Sequence, residues 1–306
     1  MQHSYNIYFL AKNIGNNYLH DPQAYSRLCN GSFNHIVYYY WILKNNLCVS
    51  SKYEIFLVEE LPSRVNSTDI VIFYYDTAEK VRFNECITIQ AVGDKPIIAK
   101  SNFIITHNLA MKELNTFFIH LPLPYNIRKQ TPSFPPKNFV GVGALHSFNK
   151  EITSEIFKHQ CRGQGINFEL ITDKNFCDKN ADVFVFLRDK NLPLYKCDDG
   201  SPLHPASIWS PFKGDTHRHA NRLYQSWYMN TPLIHNRESS IEAIVKSKYD
   251  ILYAETPREL VLQMLFLQNN KTVFNKMIET CKRREGENTH DVIIDQFMNM
   301  LNIICQ

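Results

Sequence analysis

Arg188, Arg222 and Glu238 are the residues whose types and spacing most suggest chemistry. Arg188 closes an apolar run, DVFVFLR from Asp182 to Arg188. At the carboxyl edge of a sheet, its guanidinium fork could make two parallel charge-assisted bonds to a diphosphate. Arg218, His219, Asn221 and Arg222 surround a predicted helix start in HRHANRLYQSW. Cations there oppose the helix dipole unless an anion lies among them. Glu238 follows the next short apolar run, TPLIHNRE, with Ser239 beside it. A carboxylate at that place can accept hydrogen bonds from sugar hydroxyls, and it equally suits the first turn of a helix. A strand, a cationic helix start, a second strand and a carboxylate together describe an anion-plus-polyol site on a doubly wound sheet. The expected ligand is a sugar nucleotide or a similar phosphorylated polyol.

A reaction at such a site also needs a proton acceptor. Asp76 follows the run DIVIFYY and is the first choice; His20 and Asp21, after the first strand and turn, are alternatives. Asp94 and His107 follow later runs, and each of these residues serves equally well in a turn or a cap. Twelve histidines form neither H-x-x-x-H nor H-E-x-x-H, and His217 and His219 would face different sides of a helix. No metal and no separate cofactor is expected. Gly141 and Gly143, in GVGAL, lack the third glycine of a dinucleotide fingerprint and read as strand packing. Tyr38, Tyr39, Tyr40 and Trp41 read as half-buried core.

The elements that must position these groups alternate. Apolar runs at 6–10, 53–58, 69–74, 86–92, 103–106 and 115–121 are separated by polar connections, which predicts an α/β sheet. Phe33 to Leu43 predicts a buried helix. Five prolines between Pro122 and Pro136 exclude a helix and predict an extended linker. Beyond it the pattern restarts, with strands at 138–145, 167–171, 182–187, 233–235 and 251–253 and a helix from Ala220 to about Asn230. Thr256-Pro257-Arg258-Glu259 is a helix start by its cap, proline and acid, and 290–305 predicts a last helix. The predicted organisation is a domain over 1–121, a linker over 122–136 and a second domain over 137–306, whose last helix could pack back on the first.

The chain has 306 residues, 44% apolar and 13% aromatic, enough to bury a core. Its net charge of +3 is too small to argue for nucleic acid. Eight scattered cysteines without a C-x-x-C pair predict unpaired thiols in a reducing compartment. No secretory leader and no apolar run long enough to span a bilayer is evident, so the expectation is a cytoplasmic protein with at most peripheral membrane contact.

In the order IHLPLPYNIR, NFVGVGAL, DVFVFLR, HANRLYQSWYMNTPLI, NRESSIEA, KYDILY and TPREL, the chain resembles glycosyltransferases of the GT-B superfamily, in particular an uncharacterised bacterial group. The match covers roughly residues 115–300, with a weaker echo over 69–108. The resemblance implies two Rossmann-like domains facing a cleft, acceptor held by the first and nucleotide-sugar by the second. It also implies a metal-independent transfer of a sugar to a hydroxyl of a glycan or glycolipid acceptor in polysaccharide biosynthesis. The chain departs from the group at the helix start, where His217-Arg218-His219-Ala220 stands for its lysine and proline and Arg222 for its second lysine. It departs again at Asn230-Thr231-Pro232, which replaces a Gly-x-Pro turn, and at Lys246, where many retaining members carry a second glutamate. A non-catalytic sugar-nucleotide-binding or glycan-assembly protein on the same fold is the alternative.

Overall fold

The computed structural model describes residues 5–12, 14, 33–93, 97–98, 100–111, 115–123, 127–143, 145–171, 180–188, 207–208 and 220–306. The chain forms two compact units. In the first, β1 (Asn6–Leu10), β2 (Glu54–Val58), β3 (Ile70–Phe73), β4 (Ile87–Val92), β6 (Phe103–Thr106) and β7 (Thr116–Phe118) make one sheet in the order β2-β1-β3-β4-β6-β7. All its pairings are parallel. Strand β3, IVIF, is buried at every position, as a central parallel strand covered on both faces must be. Between β4 and β6 lies β5 (Ile97–Ile98), which pairs antiparallel with β11 (Ser207–Ile208).

The second unit holds β8 (Asn138–Val142), β9 (Asn167–Ile171), β10 (Val183–Phe186), β12 (Leu233–His235) and β13 (Leu252–Tyr253). Their order is β13-β12-β10-β8-β9, again with parallel pairings throughout. Helices Glu155–Gly163, Asn221–Tyr228, Pro257–Asn269 and Lys271–Arg284 belong to this unit. Local chemistry sets their ends. The Thr256 side chain accepts from Glu259 N ahead of Pro257, and Asn230, at φ 57°, turns the chain out of helix Asn221–Tyr228 before Pro232. Two parallel α/β units agree with the fold expected from the sequence.

The division of the chain is less simple than a cut at the prolines. Helix His290–Ile304 belongs to the first unit, and its Ile293, Phe297, Met300 and Leu301 join the core of Ile7, Phe9, Tyr39, Ile72 and Ile105. Strand β11 also belongs there, because its hydrogen-bonding partner is β5. From Ile127 onward the proline-rich stretch is part of the second unit. Gln130 N donates to Met229 O at 2.8 Å, and Gln268 donates to Pro136 O at 3.0 Å.

Asp182 holds that stretch in place. It is 5% exposed and accepts from Ser133 N, Ser133 Oγ, Lys137 N and Asn138 N at 2.8–3.0 Å. Burial pushes its carboxyl up, but these hydrogen bonds outweigh burial and leave it below the ordinary value. With the folded value depressed, its stabilisation is present above the ordinary carboxylate pKa and is lost as pH falls through the folded one. Asp182→Asn, which turns one acceptor oxygen into a donor facing donors, is expected to cost about 1–3 kcal/mol in urea unfolding at pH 7. The difference from wild type should shrink in acid.

The five cysteines among the described residues are unpaired, and burial pushes the Cys281 thiol up to about 12. No helix among the described residues is long and apolar enough to cross a membrane.

Candidate functional site

In a parallel sheet the carboxyl ends of adjacent strands open on one edge, and there the second unit gathers its polar groups. Gly143 follows β8, Arg188 follows β10, and Asn236 and Glu238 follow β12. Residues 184, 186 and 188 share one side of the chain by strand alternation. The guanidinium of Arg188 therefore folds back over the ring of Phe186, with Cζ 4.9 Å from the centroid. Arg222, in the first turn of helix Asn221–Tyr228, brings its own Cζ to 5.4 Å from the same centroid. One aromatic ring thus holds both guanidiniums within about 10 Å of each other. Like charges at that separation repel by about 1–2 kcal/mol at an effective dielectric near 20.

Each cation is oriented by a neighbour. Arg188 Nε donates to Glu238 Oε1 at 2.7 Å, and Arg188 N donates to Asn236 Oδ1 at 3.1 Å. Arg222 donates to Gln225 Oε1, one helical turn on, at 3.1 Å. The N-cap of that helix is Ala220, which has no side-chain oxygen to offer the first N–H groups. Asn221 is the first residue of the helix, and its Oδ1 is buried without a hydrogen-bond partner among the described residues. Ser239 opens the short helix Ser239–Glu242 after Glu238.

Beneath the cations lies a stack that the sequence reading missed. His235 is 1% exposed and packs on Phe186 with centroids 4.9 Å apart and planes 25° apart. Its Nδ1 donates to Asn236 O at 2.7 Å. Burial pushes the imidazole below its ordinary pKa, opposed by the Glu238 carboxylate and the Asn236 carbonyl and assisted by Arg188 and Arg222. The ring is therefore neutral at neutral pH and adds no third cation to the site. An apolar pocket lined by Val142, Phe184, Val185, Phe186 and Leu233 lies here too, with Arg222 and Gln225 as its polar members.

Of the residues chosen from the sequence, Arg188, Arg222 and Glu238 come together. Glu238 does so by turning inward: it is 2% exposed and paired with Arg188, whose guanidinium it orients. Arg218 and His219, like His217, lie outside the described residues. Gly141 packs as a strand glycine, since a Cβ there would strike Leu170. Gly143 does something else. Its φ of 152° strains any residue with a side chain, and a Cβ would stand in tight contact, 3.2 Å from Arg222 Nη2 and 3.3 Å from Phe186. The signal for Phe186 was its position two residues before Arg188; nothing in the sequence marked His235.

In the first unit, Asp76 lies at the carboxyl end of β3, in the 3-10 helix Tyr75–Lys80, half-buried with Oδ1 covered. His20, Asp21 and Asp94 lie outside the described residues. His107 follows β6 and is buried.

No family model and no curated protein sequence matches the chain. Solved structures do. AviGT4, a glycosyltransferase involved in avilamycin A biosynthesis, superposes with a TM-score of 0.54 at 10% identity, over 98% of both chains. HepE from Anabaena, solved in complex with UDP, gives 0.54 at 8% identity over 98% of this chain and 100% of its own. TarM gives 0.51 at 11% identity over 78% of this chain, which spans 55% of TarM. The chain therefore resembles GT-B glycosyltransferases in fold, and its two parallel α/β units are the architecture these proteins share with it.

Proposed function

We propose that the protein is a glycosyltransferase whose second unit binds the diphosphate of a nucleotide-sugar. The observation that carries this reading is the placement of two arginines on one ring, beside a helix N-terminus, at the carboxyl edge of a parallel sheet. Bringing two guanidiniums together costs free energy that a bound dianion would return, and the same edge is where ligands of doubly wound folds bind. Arg188, Arg222 and the first N–H groups of helix Asn221–Tyr228 would stabilise the leaving diphosphate as the glycosidic bond breaks, without a metal ion. Arg218, His219, Asn221 and Ser239 complete the proposed donor set. The acceptor is proposed to be a hydroxyl of a glycan or glycolipid. The UDP held by HepE makes uridine diphosphate the first ligand to try.

A second reading, a sugar-nucleotide-binding or glycan-assembly protein on this fold, is favoured by Lys246. Its ammonium lies 3.6 Å from Glu287 where the resemblance would place a carboxylate. Release of nucleoside diphosphate from a panel of nucleotide-sugars separates the two, since a binder releases none.

The test of the site is a thermal shift with UDP. A ligand at a hundred times its Kd adds about 2.7 kcal/mol to the folded state, and the melting point should rise accordingly. Arg222→Ala removes one charge-assisted contact worth about 1.5–3 kcal/mol and should weaken UDP binding about 10- to 150-fold. A variant that responds as wild type does would mean the diphosphate does not sit on Arg222.

A further inference from the structure

One edge of the sheet in the first unit is a mostly apolar strand, β2, with the sequence EIFLV. It ends the order β2-β1-β3-β4-β6-β7, and no described strand pairs with its outer side. The ladder with β1 fixes which backbone groups face outward. Ala11 N donates to Val58 O at 3.0 Å, and backbone directions alternate along a strand. Glu54, Phe56 and Val58 therefore turn their N–H and C=O groups towards β1, and Ile55 and Leu57 turn theirs away. Lys44 marks that outer side, its Nζ donating to Ile55 O at 3.2 Å. An edge of this kind is a template for another strand.

The side chains decide which strand fits. Phe56, the middle residue of β2, is 37% exposed, and its ring stacks on Tyr8 with centroids 5.2 Å and planes 20° apart. Lys52 stands just before the strand, and Glu59 and Glu60 follow it. A two-fold axis at Phe56 runs a second copy of β2 antiparallel to the first. Ile55 of each copy then faces Leu57 of the other, and their outward N–H and C=O groups exchange hydrogen bonds in both directions. The Leu57 N–H of the second copy takes the place of Lys44 on Ile55 O. Phe56 faces its own counterpart at a non-hydrogen-bonded position, where side chains approach most closely. The basic start of each strand meets the acidic end of the other. No other edge of the two sheets is matched in this way. Strands β7 and β13 have three and two residues, and the same operation on β9, NFELI, would set Glu169 against Glu169 of the second copy.

We propose that two copies of the protein join through β2, making one continuous sheet from their first units. The edge is self-complementary in hydrogen bonding, apolar contact and charge, so its occupant is a second copy of this chain. The donor site takes no part, and the interface is independent of the transferase reading.

Light scattering on the intact chain from about 1 μM to 1 mM reads the association. The mass is expected to climb from that of one chain towards that of two. Lys52→Glu should weaken the dimer about 2- to 30-fold, because the like-charge contact it creates occurs twice. Combining Lys52→Glu with Glu60→Lys should restore it. Cross-linking reads the register, since Cα atoms paired at a non-hydrogen-bonded position lie about 4.5 Å apart, within reach of a disulfide. Under mild oxidation Phe56→Cys should give a covalent dimer well beyond the wild-type level. Val58→Cys, placed opposite Glu54, should not. A single-chain mass at every concentration overturns the proposal. So does a dimer indifferent to Lys52→Glu, or one in which Val58→Cys cross-links as readily as Phe56→Cys.

Discussion

Arg284→Ala is expected to destabilise the second unit by about 3–5 kcal/mol, the cost of leaving a buried charge without its partner. Arg284 is 4% exposed at the end of helix Lys271–Arg284. Its Nη1 lies 2.9 Å from Asp250 Oδ2, and Nε and Nη2 each lie 2.8 Å from Glu287. Nη2 also donates to Ile244 O at 2.9 Å, and the guanidinium lies 3.7 Å over the ring of Trp227. The Asp250 side chain has no exposed surface, and its Oδ2 also accepts from Lys246 N and Ser247 N, both at 2.7 Å. Removing Arg284 strands that carboxylate. Thermal or urea unfolding of Arg284→Ala should show the loss, with a melting point lower by about 6–20 °C. Lys282→Ala, two residues away and exposed, should fall within about 0.5 kcal/mol of wild type. Adding Asp250→Asn to Arg284→Met should recover part of the loss, since no buried charge then remains. Equal effects at 282 and 284 would mean that the cluster is solvated.

Arg188→Ala and Arg222→Ala should differ in kind. Arg188 is bound to Glu238, whose side chain is 1% exposed, so its removal leaves a buried carboxylate beside His235. A cost of about 2–3 kcal/mol in the unliganded protein is expected, below the full penalty because Arg188 itself is partly exposed. Arg188→Ala should lose both stability and the UDP response, and Glu238→Gln should restore much of the stability but not the response. Arg222→Ala should lose the response at a smaller cost to stability, because the hydrogen bond it gives up joins it to a neutral group, Gln225. A double-mutant cycle over 188 and 238 measures the coupling directly. A coupling near zero would show that Glu238 does not hold Arg188.

Much of the fold was legible because its signals are local. Continuous apolar runs such as IVIF in β3 and VFVF in β10 mark buried parallel strands, and Thr256-Pro257 marks a helix start by its own capping geometry. The proposed anion site was half legible. A cation at a strand end and a cation at a helix start both have sequence signatures, whereas the ring beneath them does not. Phe186 reads as one more core residue until Arg188 and Arg222 are seen on it. His35, in the π-helical turn Phe33–Val37, and His107, after β6, are 72 positions apart and stack on each other, and no motif marks the pair.

The same division holds for charge and for the partition of the chain. The α/β class with parallel strands and the arginines at two element ends were legible in the sequence, because each depends on neighbours within a few residues. Tertiary structure decided that Lys282 faces solvent while Arg284 closes a buried ion cluster, though they lie two residues apart. It decided that helix His290–Ile304 completes the core of the first unit. It also decided that Glu238 faces Arg188. These outcomes depend on which distant groups share a desolvated space, and burial and partner choice there are properties of the packed molecule, with no counterpart in the order of residues.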